Sequence, residues 1–519
     1  MAALTPFGIK LAVHIITTDF GNLVSKICEC LLRRGTLSKA LISRFTELPQ
    51  DKVKKCLWVL IQHNCVQAFA LEQEGGGKDT TVVVTQYMAL FNNIIHRLRF
   101  PKFMSIVSKE QDTKGSDILE GLLQHGRLTL TQILDRALAS SSEGSSDTHQ
   151  ESFTKLVRCR FVERCPAPEP LISLPNEGDT PAKKGGGRNK VFMKEVTLEE
   201  RALAAAIPMD AERFSISYDQ GVDSDEEKIE SKISGLKVGE KRKQDSLDWD
   251  SELDTMGGKK EPVWRVNFDE FINCLKIKAC VEHVRAEYDN VAAVILKSML
   301  EGAKHTVSSV SLSLDSIFEE VIKSKEGLTM EHLRYSLEQL DFCSETNDVY
   351  TINMKDIIKK AQLEEVECIV KKRYGIEAFR IFRSLTNGRP LDTDKISERT
   401  FVDKKNTPQT LYKLWKDNYI LMEKVTTGGP RQADFFLWSV KKGNLWHQIL
   451  DELYHAALNL CLRYAYEVDQ EREIQNLSIE NPSPEVKERR MRLRNVRILL
   501  DSSLMKLDDA VMIFHDFLL

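Results

Sequence analysis

The chain has 519 residues, too many for one ordinary hydrophobic core, and this length predicts three to five domains. Its 73 basic and 77 acidic residues give a formal net charge of −4, so the chain is no polycation and any contact with nucleic acid must come from local basic patches. The sequence contains no apolar run of the ~18 residues that a membrane span needs and no signal-peptide pattern. We therefore expect a soluble, intracellular array of domains.

The first predicted unit covers residues 1 to 98. Asp19 is placed to cap a helix that ends near residue 35, and a turn then leads into a short helix over residues 39 to 46. Pro49 suits the start of the next helix, whose inward positions recur every three or four residues: Val53, Cys56, Leu57, Leu60 and Ile61. Two β-rich runs enclose a glycine loop with Lys78 at its tip, and a helix from residue 86 to 98 follows. A turn, two helices and a β-hairpin make up the winged-helix plan.

A second unit, residues 99 to 166, repeats this order. Ser116 and Asp117 are placed to cap its first helix, and the turn Gly-Arg-Leu-Thr at 126 to 129 matches the turn of the first unit. Residues 140 to 150 are rich in serine, glycine and acidic residues and predict an inserted loop. The inward residues of the closing segment are predicted to be Phe153, Leu156 and Val157.

Residues 167 to 261 differ in composition from their neighbours. They carry prolines, glycines and blocks of charge, which predict a charged flexible linker or insertion because little apolar surface is available to offset the entropy of ordering. One short helix is predicted within it, over residues 198 to 206.

The third predicted unit, residues 262 to 374, opens with the apolar segment that follows Trp264. A long helix is predicted from about residue 274 to 300, and helices over 310 to 322 and 328 to 340 repeat the two-helix core. The remaining elements are a strand over residues 349 to 352 and a helix over 354 to 374.

The fourth unit, residues 375 to 442, has the clearest pattern after the first. Its second helix, over residues 407 to 418, turns Leu411 and Leu414 inward, and a loop with Arg431 lies between two β-rich runs. Phe379, Phe382, Phe435 and Phe436 are interpreted as core packing. In residues 443 to 519, apolar residues at heptad-like spacing on both sides of an Asn-Pro-Ser-Pro break predict a helical hairpin.

The predicted fold class is therefore mainly α with small β-wings, as a tandem array of four winged-helix domains followed by a C-terminal antiparallel coiled coil. The distance from the turn leucine to the first apolar residue after the second helix is similar in three units, from Leu37 to Val66, Leu312 to Phe342 and Leu391 to Ile420. In the second unit the inserted loop lengthens it. Such repeated spacing indicates an internal repeat.

Sequence signatures of enzymes and metal sites are missing. The 11 cysteines include no C-x-x-C pair and are interpreted as buried reduced thiols, and His63 and His125 as capping or core histidines. The segment from Glu72 to Asp79 resembles a phosphate-binding loop. It has Glu72 in place of the first glycine and Asp79 in place of the hydroxyl residue that would hold Mg²⁺. We therefore expect no catalytic residues, no cofactor and no metal.

Basic side chains are the candidates for DNA contact. Lysines on the second helix of a unit and at a wing tip could neutralise phosphates without reading sequence, and the candidates are Lys52, Lys54, Lys55, Lys78, Lys413, Lys416 and Arg431. A solvated face is the alternative for each, because winged helices also bind proteins. Two basic clusters of the linker could serve in nuclear import, in DNA tracking or only in solubility: Lys183, Lys184 and Arg188, and Lys241, Arg242 and Lys243.

Five segments carry a family resemblance: residues 60 to 66 (LIQHNCV), 98 to 103 (LRFPKF), 161 to 166 (FVERCP), 373 to 375 (RYG) and 379 to 385 (FRIFRSL). With the four winged-helix patterns and the terminal hairpin, the chain resembles the winged-helix subunit of the initiation heterotrimer of RNA polymerase III, a relative of the alpha subunit of general transcription factor IIE. The linker matches in character only.

This resemblance implies a noncatalytic, nuclear subunit of DNA-directed RNA polymerase III that acts in promoter opening for small untranslated RNA genes such as 5S and transfer RNA. Its implied partners are two other trimer subunits, the largest subunit's clamp, transcription factor IIIB and promoter DNA, with no membrane and no small-molecule substrate. The alternative is a winged-helix scaffold subunit of a multiprotein complex of the proteasome-lid type, without DNA contact. A sequence-specific transcription factor is a third possibility.

Overall fold

The computed structural model describes residues 4–74, 81–110, 112–140, 146–172, 196–216, 261–302, 309–323, 329–339, 349–386, 388–426, 434–477 and 484–517. Helices dominate these residues, and the strands form small sheets of two or three. The chain divides into two compact units, one of residues 12–271 and one of residues 1–11 with 272–519.

The first winged helix follows its predicted plan. Its elements are α1 (Pro6–Phe20), α2 (Asn22–Arg34), α3 (Lys39–Thr46), α4 (Gln50–Gln62), β1 (Val66–Glu74) and β2 (Thr81–Ala89). The predicted inward side of α4 is buried, since Val53, Leu57 and Leu60 are fully enclosed. Asp19 is not a cap: helix α1, which was not predicted, runs through it, and Gly21 at φ 85° separates α1 from α2.

Hairpin β1–β2 is antiparallel, with Val66 opposite Ala89, and the turn residue Leu37 forms an isolated antiparallel bridge with Tyr87. The predicted helix over residues 86 to 98 is too long at its start, because strand pairing with β1 continues to Ala89. The helix there is α5 (Phe91–His96), followed by a 3₁₀ turn (Arg97–Arg99) and α6 (Phe100–Glu110).

The second winged helix consists of α7 (Thr113–His125), β3 (Leu128–Thr129), α8 (Leu130–Ser140), α9 (Ser146–Arg158) and β4 (Val162–Arg164). Asp112 caps α7 by accepting from the Gly115 N–H at 2.9 Å, so the predicted cap at Ser116 and Asp117 is wrong. Helix α9 begins at Ser146, inside the loop predicted over residues 140 to 150. Two contacts secure its first turns: the Ser152 hydroxyl donates to the same Asp112 carboxylate, and Phe153 is buried.

The strand β6 (Val263–Val266) lies between β3 and β4 in a three-stranded antiparallel sheet. We expected this segment to open the third unit, and the pairing instead places it in the second. Trp264 fills that core, 1% exposed and edge-on to Phe153 at 5.2 Å. The preceding segment is thus an insertion between two strands of one sheet.

Parts of the predicted linker are ordered against the first winged helix. Strand β5 (Leu171–Ile172) pairs in parallel with β1, and helix α10 (Leu198–Ala206) is present as predicted, with a capping box at Thr197 and Glu200. Ala202 and Ile172 pack with Phe69 in one apolar cluster. A short helix, α11 (Asp210–Arg213), follows.

The third unit begins with α12 (Phe268–Glu287) and α13 (Asn290–Gly302), then β7 (Ser309–Ser313), α14 (Leu314–Lys323), α15 (Met330–Gln339), β8 (Val349–Asn353) and α16 (Met354–Tyr374). The single long helix predicted for this region is wrong, because Asp289 interrupts it and caps α13 by accepting from the Ala292 N–H. The predicted helix over residues 310 to 322 starts too early, since β7 pairs with β8 over Ser309–Ser313.

The fourth winged helix contains α17 (Ile376–Thr386), β9 (Leu391–Asp392), α18 (Thr393–Thr400), α19 (Asn406–Lys416), β10 (Leu421–Thr426) and β11 (Asp434–Ser439). Leu411 and Leu414 are buried as predicted. Phe435 and Phe436 are not core residues: they are 46% and 44% exposed, because they pair with Val425 and Lys424, which are exposed too.

Two long helices complete the chain, α20 (Lys442–Leu477) and α21 (Pro484–His515). They pack antiparallel, since Trp446 near the start of α20 meets Phe514 near the end of α21, while Glu471 bonds Arg497 at 2.6 Å. Coiled-coil packing along their length stays a prediction. Among the described helices, none combines the length and the apolar character needed to cross a membrane.

Candidate nucleic-acid interface

Helix α4 carries three candidate lysines near its start. Lys52, Lys54 and Lys55 are exposed, whereas Val53 and Cys56 between them are buried. Within the described part of the chain these lysines form no salt bridge. The helix directly precedes hairpin β1–β2, the position of the recognition helix in a winged helix. Their charges are therefore available to an anionic partner.

The C-terminal end of α4 is fixed by the second winged helix. The backbone N–H of Arg127 donates to the Gln62 carbonyl at 3.0 Å, and the Gln62 amide donates to the His125 carbonyl at 3.0 Å. The buried Arg127 guanidinium also donates to the Asn64 side chain at 2.9 Å. The turn that follows α7 and the C-terminal end of α4 thus form one polar junction. This junction sets the direction of α4 relative to the second unit.

His63 caps the end of α4 and lies against the Phe20 ring at 4.6 Å. Burial, together with a smaller effect of the nearby Arg97 guanidinium, lowers the pKa of His63 to about 4. Arg97 in turn bonds Asp19 at 2.5 Å. The imidazole is therefore neutral near pH 7 and adds no charge, which agrees with its interpretation as a capping or core residue.

The equivalent helix of the fourth unit, α19, exposes Lys413 and Lys416. Two aromatic side chains lie beside them: Tyr412 is 57% and Trp415 is 38% exposed, with ring centroids 5.8 Å apart. We did not single out these aromatics from the sequence. The signal was present, since positions 412 and 415 lie off the buried side defined by Leu411 and Leu414.

The remaining basic candidates lie outside the described residues. These are the wing-tip residues Lys78 and Arg431 and the linker residues Lys183, Lys184, Arg188, Lys241, Arg242 and Lys243. The structure therefore describes five of the candidates, three on α4 and two on α19.

One group of side chains between α12 and α16 has the composition of a metal site. His283 lies 3.6 Å from Glu287 and 3.7 Å from Glu364, measured from different ring nitrogens. One ligand atom from each of the three residues lies within 4.8 Å of the others, but Lys360 already pairs with Glu287, and both carboxylates contact the imidazole. We interpret the group as an ion-pair network that links two helices.

Comparison with known proteins gives three matches in chain order. They are the RNA polymerase III subunit RPC82 helix-turn-helix domain at residues 10–71, the RNA polymerase III subunit RPC82 family at residues 151–363 and the POLR3C C-terminal winged-helix domain at residues 366–440. Two of the three are described as parts of RNA polymerase III subunit RPC82.

Curated relatives match over most of the chain. DNA-directed RNA polymerase III subunit RPC3 of Bos taurus is 24% identical and that of Homo sapiens 23%, each over 91% of this chain and 86% of the relative. The Dictyostelium discoideum subunit rpc3 is 23% identical over 89% of this chain and 92% of its own length. The matched domains and these relatives show that the chain is similar to RNA polymerase III subunits RPC82 and RPC3 over most of its length.

Proposed function

We propose that this chain is a noncatalytic, nuclear subunit of RNA polymerase III that acts in transcription initiation on small untranslated RNA genes such as 5S and transfer RNA. The observation that carries the proposal is the match to relatives named as this polymerase's subunit over 91% of the chain. Its expected partners are two other trimer subunits, the largest subunit's clamp, transcription factor IIIB and promoter DNA.

The array of modules suits promoter opening. Small winged helices offer several separate faces, and the long hairpin α20–α21 offers an extended one. Lys52, Lys54 and Lys55 supply three positive charges with no acidic partner in the described residues. Lysines that contact phosphates bind without selecting sequence, because the phosphate backbone is the same for every base sequence. We therefore propose that α4 contacts the DNA backbone and that the lysines of α19 are a second such contact.

Affinity purification of the tagged full-length chain from nuclear extract, at moderate and high salt, tests the assignment to the polymerase. We expect the large subunits of RNA polymerase III at both salts and transcription of a transfer-RNA gene by the eluate. A lid-type complex in their place, or no polymerase subunit, would overturn the proposal.

A charge-reversal pair tests the contact of α4 with DNA. Lys52→Glu with Lys55→Glu should lower DNA affinity of the purified complex and reduce the slope of log K against log salt by about 2, at about 0.9 per lost phosphate contact. The control, Lys26→Glu with Arg33→Glu, makes the same charge change on exposed positions of α2 in the same winged helix. Equal losses in both pairs would show that only net charge matters and would refute a contact at α4.

A further inference from the structure

Helix α21 has two apolar sides in its first half. One side, with Leu493, Val496 and Leu500, is partly covered. The other carries Met491, Ile498 and Leu499, which are 67%, 56% and 67% exposed. At about 100° per residue, Ile498 lies about 20° from Met491 around the helix and Leu500 about 180° from it. We call Met491, Ile498 and Leu499 the outer face of α21.

Exposed single apolar residues are ordinary, but three large ones on one side of two helical turns are not. Each exposed aliphatic side chain forgoes part of the free energy that its burial would provide. A helix seated against the outer face would recover part of this free energy and extend the two-helix hairpin to three helices.

The charge around the outer face identifies the kind of helix that fits. The segment from residue 484 to 497 contains six basic residues, Lys487, Arg489, Arg490, Arg492, Arg494 and Arg497, and two acidic ones. Arg490 and Arg494 are exposed, lie four residues apart beside the outer face, and form no salt bridge with any residue that the structure describes. Acidic side chains at the edges of an apolar stripe would complement them.

Two other occupants fit less well. A second copy of this chain would bring like charges together, because the same arginines would face each other across a symmetric contact. DNA would satisfy the arginines but would leave Ile498 and Leu499 uncovered, since its backbone offers no apolar surface.

We propose that the outer face of α21 docks an acidic amphipathic helix from another subunit of the polymerase. This inference rests on the proposed function. The segment from residue 487 to 499 is about 20 Å long at 1.5 Å per residue, enough for three to four turns of a partner helix. A contact of this size is small for a stable complex by itself. It therefore adds a local attachment to a larger assembly.

Site-specific photocrosslinking in the assembled complex tests the proposal. A benzophenone amino acid replaces Ile498 in the tagged full-length chain, and the control position is Gln475, exposed on α20. We expect position 498 to crosslink to a segment of another polymerase subunit whose apolar residues recur every three or four positions between acidic residues. The control should give no such product.

Charge reversal then tests the arginines. Arg490→Glu with Arg494→Glu should reduce the crosslink from position 498 at least tenfold, and lysines in place of the partner's acidic residues should restore it. Met491→Gln with Ile498→Gln should weaken retention of the same subunit at high salt. Both changes lie on exposed positions, so the thermal melting of the chain should not change.

Several results would overturn the inference: a crosslink to DNA, to a second copy or to a segment without acidic residues, or no crosslink while polymerase subunits copurify. That last result leaves the proposed function standing. If no polymerase subunit copurifies, the proposed function fails and the inference fails with it.

Discussion

The junction between the first two winged helices depends on a glycine. Gly126 has φ 79° and ψ −119°, a conformation that costs a residue with a side chain about 1 to 3 kcal/mol. A Cβ at this position would lie 2.1 Å from the Gln62 carbonyl oxygen and 2.8 Å from its carbon. Gly126→Ala must therefore push the turn away from the end of α4.

Moving the turn breaks the Arg127 N–H to Gln62 bond and weakens the Gln62 amide bond to His125. Leaving a buried polar group without its partner costs about 1 to 3 kcal/mol. We therefore expect Gly126→Ala to destabilise the junction by about 2 to 6 kcal/mol in total, strain included.

Gly35 provides a matched control. It occupies the equivalent turn of the first winged helix with the same φ of 79°, and a Cβ there would meet nothing within 4 Å. Gly35→Ala should therefore destabilise the chain only through backbone strain, without a steric clash. The difference between the two variants, about 1 to 3 kcal/mol, is the contribution of the junction alone.

Hydrogen–deuterium exchange of the full-length chain measures this difference locally. Amides around residues 60 to 65 and 124 to 128 should exchange about 5 to 150 times faster in Gly126→Ala than in Gly35→Ala, because each 1.36 kcal/mol corresponds to about a factor of ten. Equal exchange in the two variants would refute the clash and the fixed direction of α4.

Three further outcomes follow from buried ionisable groups. The pKa of His63 falls from 6.5 to about 4 on folding, so the unfolded chain takes up this proton at a higher pH than the folded chain. The free energy of unfolding should therefore fall as the pH drops from 6.5 to 4. In denaturant titrations over this range, His63→Gln should show a smaller decrease. Burial raises the pKa of Cys65 to about 12, so its thiol stays protonated and unreactive at pH 8. Alkylation at pH 8 followed by mass spectrometry should therefore label the exposed Cys159 before Cys65. Early labelling of Cys65 would contradict its burial. Glu163 is 2% exposed and forms ion pairs with Arg213 of α11 and with Arg265. Glu163→Gln should lower the free energy of unfolding by about 3 kcal/mol and speed amide exchange in α11. Unchanged exchange in α11 would show that these ion pairs do not stabilise the helix.

The sequence located the candidate lysines of α4 because helix period is a local property. Buried residues at spacings of three and four force Lys52 and Lys55 outward whatever the helix packs against. The sequence did not indicate that the turn at Gly126 fixes the other end of this helix. That contact joins residues more than 60 positions apart and leaves no periodic trace.

Strand assignment shows the same division. Residues 349 to 352 and 354 to 374 have patterns strong enough that their strand and helix were predicted nearly to the residue. The segment from Val263 to Val266 also looked ordered, yet it was assigned to the wrong unit, because its partners β3 and β4 lie about 100 residues or more earlier in the chain. The alternation of a strand shows which side is apolar but not which sheet it joins.

Local spacing of apolar residues, prolines and glycines thus determined the type of most long elements, the plan of the first unit and the outward direction of the lysines, although it missed α1 and took β7 for the start of a helix. Tertiary structure alone decided which strands pair across the insertion, that α10 packs on the first winged helix, and that Phe435 and Phe436 remain exposed. The physical reason is that helix and turn preferences act over a few residues, whereas pairing and burial depend on parts of the chain that only the folded protein brings together.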